Sequence, residues 1–382
     1  MYKLSDYQYE LPEDRIAQLP VSPADSARLL VPSHDGNVRD AHVSDLSTML
    51  GSDDVIFFND TRVVKARVPL HHTRVVTKQG REVIVENAEI FFLEKVNDTT
   101  CEALITLLKR TRPWTHIYFS DTITIEIRAL TDKGVILAFD GITVDDFLQT
   151  YGHMPLPPYI AGSADGEQKY QTVFAKHDWS VAAPTASLHF TPDLIHTLQQ
   201  KWVQIEYVTL HVGLGTFKPV DTTDIRDYHI HEETIVVSRS LFSTIAALKS
   251  QGKRLVAVGT TVARVLETLP YAWKVLNDWD SSETYRDAIA KDIHVEDAER
   301  YIVQAHSIDD EHIQIKTRIF IYPGFQWKLV DILMTNFHIP GSTLLMLVAA
   351  FVWYDHMKKI YTHAIQQGYR FYSFGDAMLL SR

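Results

Sequence analysis

Helical and strand patterns alternate along this chain from about residue 168 onward. The strand patterns lie at 204–210, 254–258, 319–322 and 331–335. The helical patterns lie at 194–201, 240–251, 261–269, 343–353 and 357–367. Regular alternation of this kind is typical of a sheet with helices packed on its faces. The sequence therefore predicts an α/β domain, to which the N-terminal region adds a short helix at 45–50 and a strand at 54–59.

A second sequence pattern, one of short strands, begins near residue 67. Short β-rich runs are separated by turn residues and lie at 83–85, 88–96, 101–108, 117–119, 122–130 and 135–139. Evenly spaced short strands favour a small antiparallel barrel. The proline cluster at 154–160 is typical of a linker. We therefore expect a mixed α/β main domain made of 1–66 and 151–382, with an inserted antiparallel β-barrel domain at 67–150.

Composition narrows the protein class. The 382 residues are 46% hydrophobic and 22% charged, which is ordinary for a globular protein. The single cysteine, Cys101, excludes a disulfide framework and a CxxC metal cluster, and fits a reducing compartment. The first residues lack the apolar core of a signal peptide. The longest apolar run, 344–353, is half of the ~20 residues that span a bilayer. We expect a cytoplasmic protein.

Charge is distributed unevenly along the chain. The net charge is −11, and residues 273–312 hold 11 acidic and 4 basic residues, a net −7. This acidic stretch predicts an exposed insertion that is partly helical or mobile. Residues 61–81 contain no acid, and their basic residues are Arg62, Lys65, Arg67, Arg74, Lys78 and Arg81, with His71 and His72. A local basic stripe suits phosphate contact, although a solvated basic loop is an equal alternative.

Three strings place polar residues where a strand gives way to a helix. Such turns present backbone N–H groups and polar side chains to small ligands in α/β enzymes. The candidate binding residues are Ser180, Thr185 and His189 in the first string, Gly259, Thr260 and Thr261 in the second, and Asn336, His338, Ser342 and Thr343 in the third. Ordinary turns with capping hydroxyls are the alternative for each string. We hypothesise that the three strings converge on one small-molecule site.

Titratable residues cluster in a further segment. His211 ends a strand pattern before a Gly-x-Gly turn at 213–215, which is a weak signal alone. Downstream, His229, His231 and Glu233 alternate and would share one face of an extended segment. This pattern could bind a metal, form surface polarity, or supply a base and its orienting residue. The sequence leaves these alternatives open, although the lack of an HExxH helix disfavours zinc.

The C-terminal string 369–378 is rich in aromatic residues beside Arg370 and Asp376. An arginine between aromatic rings can stack on a base or pair with a carboxylate. A closing core strand with a structural pair between these two residues is the alternative.

Taken together, the motifs resemble the S-adenosylmethionine:tRNA ribosyltransferase-isomerases of queuosine biosynthesis. The resemblance runs in order through 25–30, 59–64, 155–160, 170–174, 180–191, 209–220, 259–261, 321–324, 335–347 and 369–378. It is faint over 68–150 and in the acidic stretch. The chain departs from the family pattern at Ala24, Trp179, Ser187, Tyr228 and Gly341, and blurs a glycine-rich motif at 77–81.

The resemblance implies a reaction without a metal or a bound cofactor, in which S-adenosylmethionine is a co-substrate. Its ribosyl part moves to the aminomethyl group of a deazaguanine base in the tRNA anticodon and isomerises, while adenine and methionine leave. A base must remove a proton made acidic by the sulfonium. His189, His211 and Glu233 are the candidates for proton transfer, because they are titratable and lie in the most specific motifs. The candidates for contact with tRNA, among them the basic residues of 61–81, are Arg28, Asp60, Arg62, Arg74, Lys78, Arg81 and Arg370.

Two rival functions remain at this point. One is a related protein that binds RNA or a nucleoside without isomerisation, and the other is a metal-dependent hydrolase using His211, His229, His231 and Glu233. For the RNA, we expect the barrel and its junction at 61–81 to grip the anticodon stem, with Lys109, Arg110 and Arg112 as further contacts. The acidic stretch should lie away from that surface, because its charge would repel phosphate.

Overall fold

The computed structural model describes residues 1–33, 37–106, 112–161, 164–213, 219–276 and 292–382. These residues separate into two compact units. The first contains 1–61, 158–177 and 183–382, and the second contains 62–157 and 178–182. The sequence predicts the domain boundary at 67 and 150, and the insertion of one domain into the other stays a prediction. Within the described ranges, no helix is long and apolar enough to cross a membrane.

The strands, in chain order, are β1 Arg28–Pro32, β2 Val38–His42, β3 Asp54–Asn59, β4 Thr61–Val63, β5 Arg67–Leu70, β6 Thr73–Val76, β7 Glu82–Val85, β8 Ala88–Asn97, β9 Thr100–Ile105, β10 Thr115–Tyr118, β11 Thr124–Leu130, β12 Val135–Asp140, β13 His177–Ser180, β14 Gln204–His211, β15 Glu233–Ser238, β16 Arg254–Val258, β17 Ile302–Ser307, β18 His312–Thr317, β19 Val330–Asn336 and β20 Ala377–Ser381. The α-helices are α1 Leu46–Met49, α2 Val144–Tyr151, α3 Ala164–Lys169, α4 Pro192–Gln200, α5 Ser240–Ser250, α6 Thr260–Val275, α7 Val295–Tyr301, α8 Thr343–Val352 and α9 Tyr354–Gln366.

A ten-stranded mixed sheet organises the first unit, in the order β17-β18-β15-β14-β3-β16-β19-β20-β1-β2. Its centre is parallel: β3 pairs with β14 and β16, and β16 pairs with β19. Every residue of β3 is buried, as expected for a central strand covered on both faces. The mixed sheet with its packed helices confirms the predicted α/β class.

Side-chain alternation divides the core of this unit into two faces. On one face, Ile56 and Phe58 of β3 join Val256, Met334 and residues of α1 and α4 in one apolar cluster. Their neighbours along the strands point to the opposite face, which α6 covers. Because α6 starts directly after β16, the chain crosses from the sheet to this face at Gly259.

The second unit is built on an eight-stranded antiparallel sheet, in the order β5-β8-β9-β12-β11-β10-β6-β7. β5 lies at one edge of this sheet and β6 lies next to the other edge, yet only His71 and His72 separate them in sequence. Two residues span roughly 11 Å between the flanking Cα atoms at most, so the sheet must curl back on itself. The unit is therefore barrel-like.

Two expectations about secondary structure are wrong. Residues 319–322 form no strand, although Ile319 and Ile321 are buried. The stretch 273–312, predicted as an exposed insertion, is partly helical as expected at α7, but it also contributes β17, which joins the large sheet because it pairs with β18 and β18 pairs with β15. The remainder of that stretch, 277–291, lies outside the described residues.

Candidate active site at the carboxyl edge of the parallel strands

The four central parallel strands, β14, β3, β16 and β19, all end at one edge of the large sheet. In open α/β sheets, ligands bind in the crevice outside the carboxyl ends of the strands. The residues at or just after these ends are His211, Asp60, Thr61, Gly259, Thr260, Asn336 and His338. The topology therefore places the motifs that were predicted from the sequence along one edge of the large sheet.

The Asn59 side chain fixes the end of β3 to the end of β14. Its Nδ2 donates to the Leu210 carbonyl at 3.0 Å, and its Oδ1 accepts from the backbone N–H groups of Leu210 at 3.1 Å and Thr61 at 3.2 Å. Thr61 Oγ1 then lies 2.9 Å from His211 Nδ1. The partly exposed His211 ring is thus held in one orientation at the strand edge.

Asp60 is buried beside the same strand ends. Its Oδ1 accepts a hydrogen bond from Thr209 Oγ1 at 2.7 Å, and its Oδ2 lies 3.6 Å from His177 Nε2. Its backbone carbonyl accepts from the Lys176 N–H at 2.7 Å. The carboxylate therefore organises the loop at 176–177.

His189 lies against the end of β19. Its Nε2 is 3.2 Å from Asn336 Nδ2, its ring also hydrogen-bonds the Ala24 backbone, and Thr185 Oγ1 donates to Asn336 Oδ1 at 3.0 Å. Burial lowers the pKa of the His189 imidazole to about 4, against the favourable effect of the Ala24 hydrogen bond and with help from nearby Arg370. His189 is therefore neutral, and its ring is hydrogen-bonded to the Asn336 side chain and to the Ala24 backbone.

Gly259 forms the turn between β16 and α6 on the same side as His189. Its φ of +94° is a conformation that side chains rarely adopt, and a Cβ placed there would lie 3.8 Å from the Ala186 Cβ. Thr260 follows it, buried in the first turn of α6, where no side chain caps the helix. The predicted strings around 185–189, 259–261 and Asn336 are thus close to one another.

His338 does not join this group. Thr335 and Asn336 are neighbours on β19, so their side chains point to opposite faces of the sheet. Asn336 contacts His189, whereas Thr335 Oγ1 lies 2.9 Å from His338 Nε2. Burial lowers the pKa of His338 to about 3, and its backbone N–H donates to Tyr361 Oη at 3.0 Å. His338 and His189 therefore contact opposite faces of β19, and the convergence of all three strings on one site stays a prediction.

Ser342 is the N-cap of α8. Its Oγ accepts from the Leu345 N–H at 3.2 Å and donates to the Ile339 carbonyl at 2.8 Å, and Thr343 is the first residue of the helix. This geometry matches the alternative reading of the string as a turn with a capping hydroxyl.

Glu233 forms a buried ion pair. The carboxylate contacts the guanidinium of Arg264 on α6, and its Oε1 lies 3.4 Å from His231 Nε2. Burial alone would raise the pKa of the Glu233 carboxyl, but Arg264 and then His231 outweigh burial and leave that pKa below its usual value. Glu233 is therefore ionised. Because His211 pairs with Thr234, Glu233 lies on the opposite face of the sheet from His211.

The two predicted RNA-binding arginines of the first unit have partners within the protein. The Arg28 guanidinium stacks 3.7 Å from the Tyr369 ring centroid and donates to the Gln367 carbonyl at 2.8 Å. Arg370 Nη1 donates to the Leu19 carbonyl at 3.1 Å, and its Nη2 lies 3.7 Å from the buried Asp376 carboxylate. Both arginines therefore brace the C-terminal string.

The remaining predicted contacts belong to the second unit. Ser180 is buried, and its Oγ donates to the Ala182 carbonyl at 2.8 Å. Arg62 lies 3.4 Å from Asp178, whereas Lys78 and Arg81 are exposed. Arg74 pairs with Glu82, which follows the acid-free stripe by one residue. Lys109 and Arg110 lie outside the described residues, and Arg112 is exposed.

Comparison with known proteins identifies the family of this chain. A family model described as "Queuosine biosynthesis protein" matches residues 4–380. This chain belongs to that family. Its relatives include proteins named S-adenosylmethionine:tRNA ribosyltransferase-isomerase from Thermosynechococcus vestitus, 38% identical over 99% of this chain and 96% of the relative, and from Roseobacter denitrificans, 40% identical over 99% and 98%.

A solved structure is also similar to this member of the queuosine biosynthesis family. It is the crystal structure of S-adenosylmethionine tRNA ribosyltransferase from Thermotoga maritima, with 28% sequence identity and a TM-score of 0.49. The match covers 98% of this chain and 99% of the other.

Sequence reasoning missed two residues that shape the site of this queuosine biosynthesis protein. Arg264 could have been found from its setting, because a lone arginine among Val262, Ala263, Val265 and Leu266 predicts a buried charge that needs a partner. Asn59 carried no comparable signal, since its partners lie about 150 residues away in β14.

Metal binding finds no support in the side-chain arrangement of this family member. Across the described parts of the chain, no three His, Cys, Asp or Glu side chains are grouped as metal ligands. His211 and Glu233, which the hydrolase alternative requires together, lie on opposite faces of the sheet. The edge does offer an oriented, partly exposed imidazole in His211, a buried neutral imidazole in His189, and the Glu233 carboxylate, which is paired with Arg264.

Proposed function

We propose that this chain is an S-adenosylmethionine:tRNA ribosyltransferase-isomerase. It transfers the ribosyl part of S-adenosylmethionine to the aminomethyl-deazaguanine base of tRNA and isomerises it to the epoxy-cyclopentane of epoxyqueuosine, releasing adenine and methionine. Support comes from membership of the queuosine biosynthesis family and from relatives of that name at 38–40% identity along almost the whole chain. S-adenosylmethionine is consumed as a co-substrate.

The observation that carries the proposal within this molecule is the row of polar residues at the carboxyl edge of β14, β3, β16 and β19. The reaction requires removal of a proton from the carbon next to the sulfonium. His211 is the best of the predicted bases, because it is partly exposed and Thr61 Oγ1 orients its ring from 2.9 Å. His211 therefore takes this proton.

The other two predicted bases have different roles in this proposal. His189 is buried and neutral, and its ring is engaged by Asn336 and Ala24, so it braces the end of β19 rather than moving a proton. Glu233 is ionised and paired with Arg264, so it orients His231 and holds β15 against α6.

The second unit supplies the RNA contacts in this proposal. We assign 67–150 as a barrel domain inserted into the α/β domain, and the anticodon stem-loop as the part of the tRNA that it binds. The curled antiparallel sheet and the exposed Lys78 and Arg81 support this assignment. A protein with net charge −11 needs such a local positive surface to meet a polyanion.

The proposed activity is tested by measuring adenine release from S-adenosylmethionine by liquid chromatography, with and without tRNA bearing the aminomethyl-deazaguanine base. Adenine should appear only with the precursor tRNA. His211→Gln should slow release by roughly 100- to 10,000-fold, the usual contribution of a general base. His229→Gln, a change at an exposed histidine, is the matched control and should react like the wild type. Absence of adenine release by the wild type would contradict the proposal.

A further inference from the structure

Three exposed cations and one exposed indole lie in two segments of the second unit, 77–81 and 112–114, that the pairing of β6 with β10 makes neighbours. They are Lys78, Arg81, Arg112 and Trp114, and together they are called the Trp114 surface. Residues 77–81 form the tight turn between β6 and β7, closed by the Thr77 N–H donating to the Arg81 carbonyl at 2.9 Å. His116 pairs with Val76, so the same antiparallel register brings position 114 opposite position 78.

Lys78 Nζ accordingly lies 6.0 Å from the centroid of the Trp114 ring. The indole is 56% exposed. Its backbone has φ of +67°, which is uncommon for a bulky residue, and its N–H donates to the Ile127 carbonyl at 2.7 Å. An exposed aromatic side chain on a strained backbone that a hydrogen bond stabilises is typical of a ligand-binding position.

Nearby cations of the same unit are neutralised within the protein. Arg74 makes two hydrogen bonds to Glu82, at 2.6 and 3.1 Å, and Arg67 makes two to Glu89, at 2.8 and 3.0 Å. In contrast, no described carboxylate pairs with Lys78, Arg81 or Arg112. Two cations of the stripe at 61–81, Lys78 and Arg81, therefore keep an exposed charge without a described carboxylate partner at the Trp114 surface.

The combination of exposed cations and an exposed aromatic ring indicates which class of molecule the Trp114 surface binds. Proteins that hold single-stranded nucleic acid place cations along the backbone and stack bases on aromatic rings, because every base has a π-face. An acidic protein would need the cations but would have no base to place on the indole.

We propose that the Trp114 surface holds an unpaired nucleotide of the RNA substrate, with the indole stacked on the base and the three cations contacting the flanking phosphates. This proposal rests on the proposed function, because it assumes that RNA is the substrate. It adds the location and the mode of RNA contact.

The first test separates stacking from charge. Trp114→Ala should weaken binding of the precursor tRNA by roughly 5- to 150-fold, the range for loss of one base–aromatic stack, and leave the salt dependence unchanged. Trp114→Phe should restore part of the affinity. Trp353→Ala is the matched control, because Trp353 is 78% exposed with φ of +69° but has no cation over its ring among the described residues.

The second test separates paired from unpaired cations. Arg81→Ala and Lys78→Ala should each lower the slope of log affinity against log salt by about 0.7 to 0.9, the value per lost phosphate contact. The double change Arg74→Gln with Glu82→Gln removes a neutral pair and should leave the slope unchanged. Circular dichroism melting checks that each variant is folded.

Three outcomes would overturn the proposal. Wild-type affinity in Trp114→Ala, with reduced salt slopes in the cation variants, would mean that the surface meets phosphate or an acidic protein by charge alone. Wild-type affinity and slope in all variants would place the RNA elsewhere. In both cases the wild type still releases adenine with tRNA, so the proposed function survives. A wild type that neither binds tRNA nor releases adenine would instead refute the proposed function and this inference with it.

Discussion

Acid should destabilise the first unit through His189. The imidazole is buried and neutral in the folded protein, with its pKa lowered from 6.5 to about 4. Between these two values the unfolded chain binds a proton that the folded chain does not, so the free energy of unfolding falls as the pH falls. Each pH unit in this window costs about 1.4 kcal/mol, which gives about 3 kcal/mol by pH 4.5. Above pH 6.5 the contribution disappears.

The assay compares wild type, His189→Gln and His229→Gln by urea unfolding, followed by fluorescence at several pH values from 7.5 to ~4.5. His189→Gln cannot titrate, so its unfolding free energy should fall by about 3 kcal/mol less than that of the wild type over this range. His229 is exposed, and His229→Gln should follow the wild type. Parallel decline of wild type and His189→Gln would refute the assignment of His189 as a buried neutral imidazole.

Two further predictions concern the buried ion pair and the helix cap. Glu233→Gln leaves the Arg264 guanidinium buried without its carboxylate, so urea unfolding should show that the free energy of unfolding falls by about 3–5 kcal/mol. Adding Arg264→Met should largely recover this loss, whereas a loss below about 1 kcal/mol would show that the pair is not desolvated. Ser342→Ala removes the N-cap of α8 and should cost about 1 kcal/mol of stability while adenine release stays at the wild-type rate; a large loss of activity at unchanged stability would mean that Ser342 binds substrate.

Patterns along the chain were sufficient to predict the four central strands of the large sheet. The strands predicted at 54–59, 204–210, 254–258 and 331–335 all form, because strings of aliphatic residues bounded by turns are typical of buried strands. The same rule fails at 319–322. There Phe320 packs its ring against Tyr228 and Tyr322, and burial without pairing gives an apolar string that periodicity cannot tell from a strand.

The hairpin β17–β18 was not predicted from the sequence, because acidic residues are abundant in the stretch that contains β17. In β18, His312-Ile-Gln-Ile-Lys-Thr317 alternates partly and fully buried residues, which is the pattern of a half-buried strand. The abundance of acidic residues in 273–312 favoured an exposed insertion there, although that stretch contains β17, the partner of β18. Local alternation was the better guide, because one buried row is enough to add a strand to a sheet.

The site could be predicted as a set of motifs but not as a set of contacts. Sequence placed both His189 and His338 in strings that were expected to converge, and only the alternation of Thr335 and Asn336 on β19 separates His338 from His189. Likewise, the sequence shows Arg74 as one of several cations, whereas the fold pairs it with Glu82 across a hairpin. Long-range pairing of charges is set by the fold and has no local signature.

The central claim is that the ribosyl carbons of S-adenosylmethionine reach the tRNA base. The most direct measurement supplies S-adenosylmethionine labelled with carbon-13 in its ribose to the wild type and to His211→Gln, together with precursor tRNA, followed by mass spectrometry of the digested nucleosides. With the wild type, the label should enter the modified deazaguanine nucleoside in proportion to released adenine, and it should be nearly absent with His211→Gln. A nucleoside without ribose label, or one that carries only the methyl group of S-adenosylmethionine, would contradict it.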